Sequence, residues 1–250
     1  MNTSSDYITF DTIINNNNNN NTIKIGKVKP NHNCQFMLGY IKNNVISLPF
    51  SINNFEFNFM RDVIIKNNLK NGYELATGLG ISTLAISLGM KETDGHLISC
   101  DSYQEVNENI VTLNGDKLFN MYDTDTYKVC SYLLKYYDTA NYVSLFNALS
   151  PHQTNDILIK NEKKLDMVFL DCPKNDEDFE RDIYSICNVI NLDKFIIFIH
   201  DSHCFTEKSN NLCKSIFNME IKYINDYYKN TNYAGYSYYP LAYISNNVKF

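Results

Sequence analysis

Four acidic residues in this chain lie in or just after short apolar runs. Glu74 sits within Gly72–Ala76, Asp101 follows His96–Cys100, Asp171 follows Met167–Leu170, and Asp201 stands one residue past Phe195–Ile199. If each run is a strand of a parallel sheet, all four carboxylates face the crevice outside the strands' carboxyl ends, where open α/β sheets bind ligands. Carboxylates gathered there accept hydrogen bonds from ribose hydroxyls, hold a hard divalent cation through oxygen, or exchange protons with a substrate. Lys174, three positions after Asp171, and His203, two after Asp201, add candidate bases. Blander readings stand beside these. Lys174 lies in the polar stretch Pro173–Asp178, where a solvated loop charge is an equal account. His200, which like His203 flanks Asp201 and could serve as base or third ligand, reads better as a structural histidine that continues its strand's alternation. Cys172 and Cys204 read as small core-filling residues without chemistry.

The strand that carries Glu74 runs into Thr77-Gly78-Leu79-Gly80 and then a helix with apolar residues at Ile81, Leu84, Ala85 and Leu88. Glycines at that junction let the backbone approach a ligand closely. Asp101, roughly 20 residues further on at the end of the next strand, is placed to accept hydrogen bonds from two ribose hydroxyls. This pattern describes a dinucleotide site nearly as well as an adenosine one. Position 83 is threonine, however, so the helix lacks the third glycine that packs it against a bound pyrophosphate. A sulfonium cofactor has no phosphate to seat, which favours S-adenosylmethionine (SAM), as does an acidic residue at position 74.

The elements that must hold these residues alternate as a parallel sheet requires. Helices are expected over Phe55–Asn67, from Ile81, over Thr126–Tyr137 and over Asp178–Ile190; strands over Gly72–Ala76, His96–Cys100, Tyr142–Phe146, Asp166–Leu170 and Phe195–Ile199. The continuously apolar runs Met167–Leu170 and Phe195–Ile199 suit strands covered on both faces. Glu220–Ile224 and Tyr238–Ile244 are expected to close the sheet as an antiparallel pair. Residues 1–30, with seven consecutive asparagines at Asn15–Asn21, are too polar to offset their ordering entropy and are expected to be disordered; residues 31–250 are expected to form one domain.

At 250 residues and 44% hydrophobic, the chain can fill one full-sized core. A net charge of −6 argues against affinity built on phosphate neutralisation, hence against nucleic acid, and favours small or neutral substrates. With no stretch of about 20 apolar residues and no basic-then-apolar leader, neither a membrane span nor export is expected. Seven scattered cysteines without a C-x-x-C pair fit reduced thiols in the cytoplasm.

Over roughly Phe55–Phe205 the chain resembles the cation-dependent O-methyltransferases of the class I fold, the group of catechol and caffeoyl-coenzyme A methyltransferases and their sugar-modifying relatives. Three blocks carry the resemblance: Glu74–Leu84, similar to the cofactor loop with Ala76 in place of its first glycine; Gly95–Asp101, ending on the ribose-binding acid; and Leu165–Lys174, similar to the segment with a metal-binding aspartate and a lysine base. His200-Asp201-Ser202 then stands where the family has Asp-Asn or His-Asp followed by a small polar residue.

The resemblance implies a Rossmann-like class I methyltransferase fold: a mostly parallel seven-stranded sheet with a C-terminal antiparallel pair and helices on both faces. It implies cofactor contacts at Glu74, Ala76, Thr77, Gly78, Gly80, Ser82, Asp101, Ser102, Asn147, Ala148 and Asp171. It places a divalent cation, magnesium by type, on Asp171, Asp201 and Ser202, with Asp171 and Lys174 catalytic and His203 an alternative base or ligand. The expected reaction is methyl transfer to a hydroxyl of a small molecule or sugar, and homodimers are compatible with it because they are common in the family. Three alternatives stay open: a metal-independent methyltransferase using His203 as base, a non-catalytic adenosine-binding protein, and a dinucleotide oxidoreductase.

Overall fold

Met167–Leu170 and Phe195–Ile199 are buried at every position, and their side chains divide by alternation between two apolar clusters. Met167, Phe169, Ile196 and Phe198 pack with Met60, Ile64, Leu84, Met90 and Val129, whereas Val168, Leu170, Ile197 and Ile199 pack with Leu158, Phe179, Ile183 and Phe217. A period-two strand covered on both faces produces this division, since successive residues point to opposite sides. The computed structural model describes residues 36–42, 45–47, 52, 54–103, 105–106, 109–114, 117–121, 124–149, 151–160, 163–171, 175–224 and 241–250. The expected disorder of residues 1–30 falls outside them.

In chain order the elements are β1 (Phe36–Lys42), β2 (Val45–Ser47), α1 (Asn54–Asn67), β3 (Asn71–Leu75), α2 (Ile81–Thr93), β4 (His96–Asp101), β5 (Glu105–Val106), β6 (Asn109–Asn114), β7 (Lys117–Met121) and β8 (Thr124–Asp125). There follow α3 (Thr126–Tyr136), β9 (Val143–Asn147), α4 (His152–Lys160), β10 (Met167–Leu170), α5 (Asp176–Ile186), β11 (Phe195–Ile199), α6 (Glu207–Phe217), β12 (Lys222–Tyr223) and β13 (Ala242–Asn246). The main sheet has seven strands in the order β12-β13-β11-β10-β3-β4-β9. The five strands from β11 to β9 are parallel, and β13 runs antiparallel to both β11 and β12. Residues of α1, α2 and α3 cover one face; residues of α4, α5 and α6 cover the other.

From β3 the chain steps outward to β4 and β9, then returns to β10 and β11 on the opposite side. The carboxyl ends of β3 and β10 therefore flank the point where the strand order reverses, the expected place for a ligand. Backbone hydrogen bonds level the strand ends there. Ala76 N–H donates to Cys100, Asp171 N–H to Leu75, His200 N–H to Leu170 and Ala148 N–H to Asp101, at 2.9–3.2 Å.

Several boundaries differ from expectation. Helix α5 starts at Asp176 because the Asn175 side chain caps it, accepting from Glu177 and Asp178 N–H, and it stops at Ile186 because the chain turns before Ile190 bridges to Leu165. The closing strands shrink to Lys222–Tyr223 and Ala242–Asn246; Tyr238–Pro240 lie outside the described residues. Helices α4 and α6, and a second, antiparallel sheet ordered β2-β1-β6-β7, were not anticipated. Its strands come from the segment before α1 and from a hairpin carried between β4 and α3 on the β5–β8 stem. No helix among the described residues is long and apolar enough to cross a membrane.

Candidate active site

The turn between β3 and α2 contains three residues with positive φ: Ala76 (72°), Gly78 (53°) and Gly80 (90°). The two glycines have different reasons to lack a side chain. A Cβ on Gly80 would stand 2.6 Å from Cys130 Sγ and 3.0 Å from Cys130 Cα on α3, whereas one on Gly78 would meet no described atom within 4 Å. Gly80 thus sets the packing of the turn on α3, and Gly78 is the position with an open face. Ala76 takes the left-handed conformation with a Cβ, at a cost of about 1 kcal/mol. Gly80→Ala is expected to lower unfolding stability by about 2 kcal/mol, through overpacking against Cys130 and left-handed strain, as measured by urea denaturation.

Glu74 lies beneath this turn and is fully buried. Its Oε1 accepts from Ser82 Oγ at 2.6 Å, and its Oε2 accepts from Thr83 Oγ1 at 2.7 Å and Ser99 Oγ at 2.6 Å. Thr77 Oγ1 extends the network to Ser99 Oγ at 2.6 Å and Tyr103 Oη at 3.3 Å. Burial pushes the Glu74 pKa up to about 7; the three hydroxyl hydrogen bonds oppose that rise and the charge of Asp171 adds to it. Both oxygens of Glu74 are engaged by helix α2 and strand β4, so the residue braces the turn from below. Ser82 directs its hydroxyl proton to Glu74.

Asp101 closes β4 and is half-buried. Its Oδ2 accepts from Gly78 N–H and its Oδ1 from Tyr103 N–H, both at 2.8 Å, which ties the end of β4 to the glycine turn. Ser102 follows it, half-buried, while Asn147 is exposed and Ala148 buried at the end of the neighbouring strand β9. The cofactor-type residues are therefore gathered along the ends of β3, β4 and β9.

Across the reversal point lies a second group. Asp171, His200 and Asp201 each offer a ligand atom, all within 4.8 Å of one another. His200 Nδ1 is 2.9 Å from Asp171 Oδ1 and 3.8 Å from Asp201 Oδ1, and His200 Nε2 is 3.8 Å from Glu56 Oε2. Burial opposes charge on this imidazole, but the hydrogen bond to Asp171 and the charges of Asp171 and Glu56 outweigh it and raise the His200 pKa to about 10. Asp201 has φ 52°, and Ser202 after it is 1% exposed with no hydrogen-bond partner for its hydroxyl among the described residues. Two carboxylates, an imidazole nitrogen and a buried orphan hydroxyl suit a divalent cation chemically.

Lys174 lies outside the described residues, as does the side chain of His203, whose backbone forms a 3-10 turn over Ser202–Cys204. Glu56 was missed, yet a signal existed: it falls on the stripe Glu56, Met60, Val63, Ile64 and Asn67, where every other residue is buried, so an acid there needs a partner. His200 was read chiefly as structural, with base or third ligand as the alternative, and the structure sets it among three carboxylates, Asp171, Asp201 and Glu56.

No known family model matches the chain by sequence, and no curated protein does. Solved structures do match by shape. An O-methyltransferase from Bacillus cereus in complex with SAH superposes over 81% of this chain and 84% of its own, at 9% identity and a TM-score of 0.51. The SAH-bound methyltransferase PaMTH1 of Podospora anserina covers 80% of each chain at 11% identity and 0.51. The fold is the class I methyltransferase fold. The O-methyltransferase TomG of Streptomyces achromogenes, involved in tomaymycin synthesis and solved with SAM, shares this methyltransferase fold over 80% of the chain and 82% of its own, at 12% identity and 0.50. The antiparallel β12–β13 pair beside five parallel strands and the reversal point between β3 and β10 are the features of that methyltransferase fold visible here.

Proposed function

We propose that residues 31–250 form a single SAM-dependent O-methyltransferase domain that moves a methyl group to a hydroxyl of a small molecule or sugar, assisted by a divalent cation. The observation that carries this reading is the pairing of two chemically distinct groups at one reversal point. Asp101 and the open-faced Gly78 lie on the β4 side, and Asp171, His200 and Asp201 lie on the β10–β11 side. In this reading Asp101 takes the ribose hydroxyls, with the backbone of Ala76–Gly80, Ser82 and Ser102 beside it, and Asn147 and Ala148 border the adenine. Asp171, Asp201 and Ser202 hold the cation.

When bound, the cation would make the acceptor hydroxyl a stronger acid. By the resemblance, Lys174 is the base that receives that proton, with His203 as the alternative. The oxygen lone pair then forms a bond to the methyl carbon as the carbon–sulfur bond breaks, leaving a neutral thioether and a proton on the base. The protein's share is to orient the two reactants and stabilise charge, without a covalent intermediate.

Methyl transfer from SAM to a panel of catechols, phenylpropanoids and sugar nucleotides, with magnesium or with a chelator, tests the proposal. Cation-dependent transfer is expected. Transfer insensitive to the chelator would select the metal-independent enzyme, and SAM binding without transfer to any acceptor would favour a non-catalytic adenosine-binding protein. Asp101→Ala is expected to weaken SAM binding by about 100-fold in calorimetry, because two hydrogen bonds to a charged group are lost.

A further inference from the structure

Glu56 has no place in the proposed reaction, yet it is 2% exposed and carries a carboxylate into the interior from the first turn of α1. Its neighbour there is His200 Nε2, 3.8 Å from Oε2. The other ring nitrogen, Nδ1, stands among the two aspartates, 2.9 Å from Asp171 Oδ1 and 3.8 Å from Asp201 Oδ1. Neighbouring ligands of an ion at about 2.1 Å stand about 3 Å apart. His200 Nδ1 and Asp171 Oδ1 already have that separation, and Asp201 Oδ1, 3.8 Å from the same nitrogen, reaches it by a small side-chain movement. A metal-binding histidine almost always gives its other ring N–H to a carboxylate, which fixes the tautomer and the ring orientation. Glu56 is the carboxylate on that side of the ring, and at 3.8 Å it makes an ion-pair contact rather than a hydrogen bond. In the ion-loaded protein Nδ1 gives up its proton to become the ligand, and the N–H kept on Nε2 faces Glu56.

We infer that Glu56 positions His200 as a nitrogen ligand through Nδ1, and that the resulting set of one nitrogen and two carboxylates selects a first-row transition ion, such as Mn2+ or Co2+, over Mg2+. This inference rests on the proposed cation site. Magnesium prefers oxygen donors in regular octahedral geometry and gains little from imidazole, whereas Mn2+ and Co2+ accept mixed nitrogen and oxygen ligands. Ser202, next to Asp201 in the chain, is buried with no hydrogen-bond partner for its hydroxyl among the described residues, and offers one further oxygen. Glu56 is a positioning residue in this scheme and touches neither ion nor substrate.

The test uses the full chain and metal ions alone. Electron spin echo spectroscopy of the Mn2+-loaded wild-type protein is expected to show coupling to a directly bound imidazole nitrogen, and His200→Asn is expected to abolish it. By calorimetric competition, His200→Asn should lower the ratio of Co2+ to Mg2+ affinity by about tenfold or more, and Glu56→Gln should weaken Co2+ binding by about 10- to 100-fold. Mn2+ bound without nitrogen coupling, with an affinity ratio unchanged in His200→Asn, overturns the inference and leaves an oxygen-only cation site standing. Failure of the wild-type chain to bind any of the three ions overturns the cation site itself. The spectrum of the wild-type protein decides the ligand question even if a variant fails to fold.

Discussion

Asp171→Asn is expected to lower the rate of methyl transfer on the order of 1,000-fold while SAM affinity stays within a few fold, which separates a role in chemistry from a role in cofactor binding. The substitution is nearly isosteric. The backbone bond from Asp171 N–H to Leu75 O is independent of the side chain, and an asparagine keeps a side-chain oxygen of the same reach toward His200 Nδ1. What disappears is the negative charge at the reversal point, together with its share in holding a cation. Single-turnover kinetics with saturating SAM, paired with calorimetry on the same variant, reads both quantities. A rate within tenfold of wild type would remove Asp171 from the proposed chemistry.

Glu74→Gln is expected to change how stability depends on pH. The folded chain holds the Glu74 proton up to about pH 7, whereas the ordinary value is 4.5. A folded pKa above the unfolded one means the native state binds more protons, so stability falls as pH rises between those two values. The contribution is fully present below pH 4.5 and lost by about pH 7, and the 2.5-unit span corresponds to about 3 kcal/mol. Glutamine cannot ionise, so the variant should gain about 3 kcal/mol relative to wild type between those limits. Urea unfolding of both proteins at several pH values measures this; parallel pH profiles would mean that burial does not hold the proton on Glu74.

The parts of the fold that were legible in the sequence are those where one local property sufficed. Met167–Leu170 and Phe195–Ile199 are continuously apolar because both faces are covered, and that leaves no other reading for such short runs. Asp101 and the glycine turn were legible because their spacing follows from a strand, a turn and a helix in succession. The second sheet was not: the pairing of β1 with β6 joins residues about 70 positions apart, and nothing local announces such a partner. Helix α6 was obscured by its polar surface, since Ser209, Cys213 and Phe217 are its buried residues and two of those are small.

At the site, side-chain type was readable but partnership was not. Glu74 was expected to face a cofactor, and its oxygens are taken by Ser82, Thr83 and Ser99. Three hydroxyls from two elements converge on it only because β3 and β4 are paired and α2 follows directly. His200 likewise continues its strand as expected, and its chemical setting comes from Glu56, a residue 144 positions earlier in the chain.

Calorimetric titration of the full chain with SAM tests the central claim most directly. Saturable binding at one site per chain, weakened about 100-fold by Asp101→Ala, is the predicted result. No binding of SAM at millimolar concentration to the folded wild-type protein would contradict it.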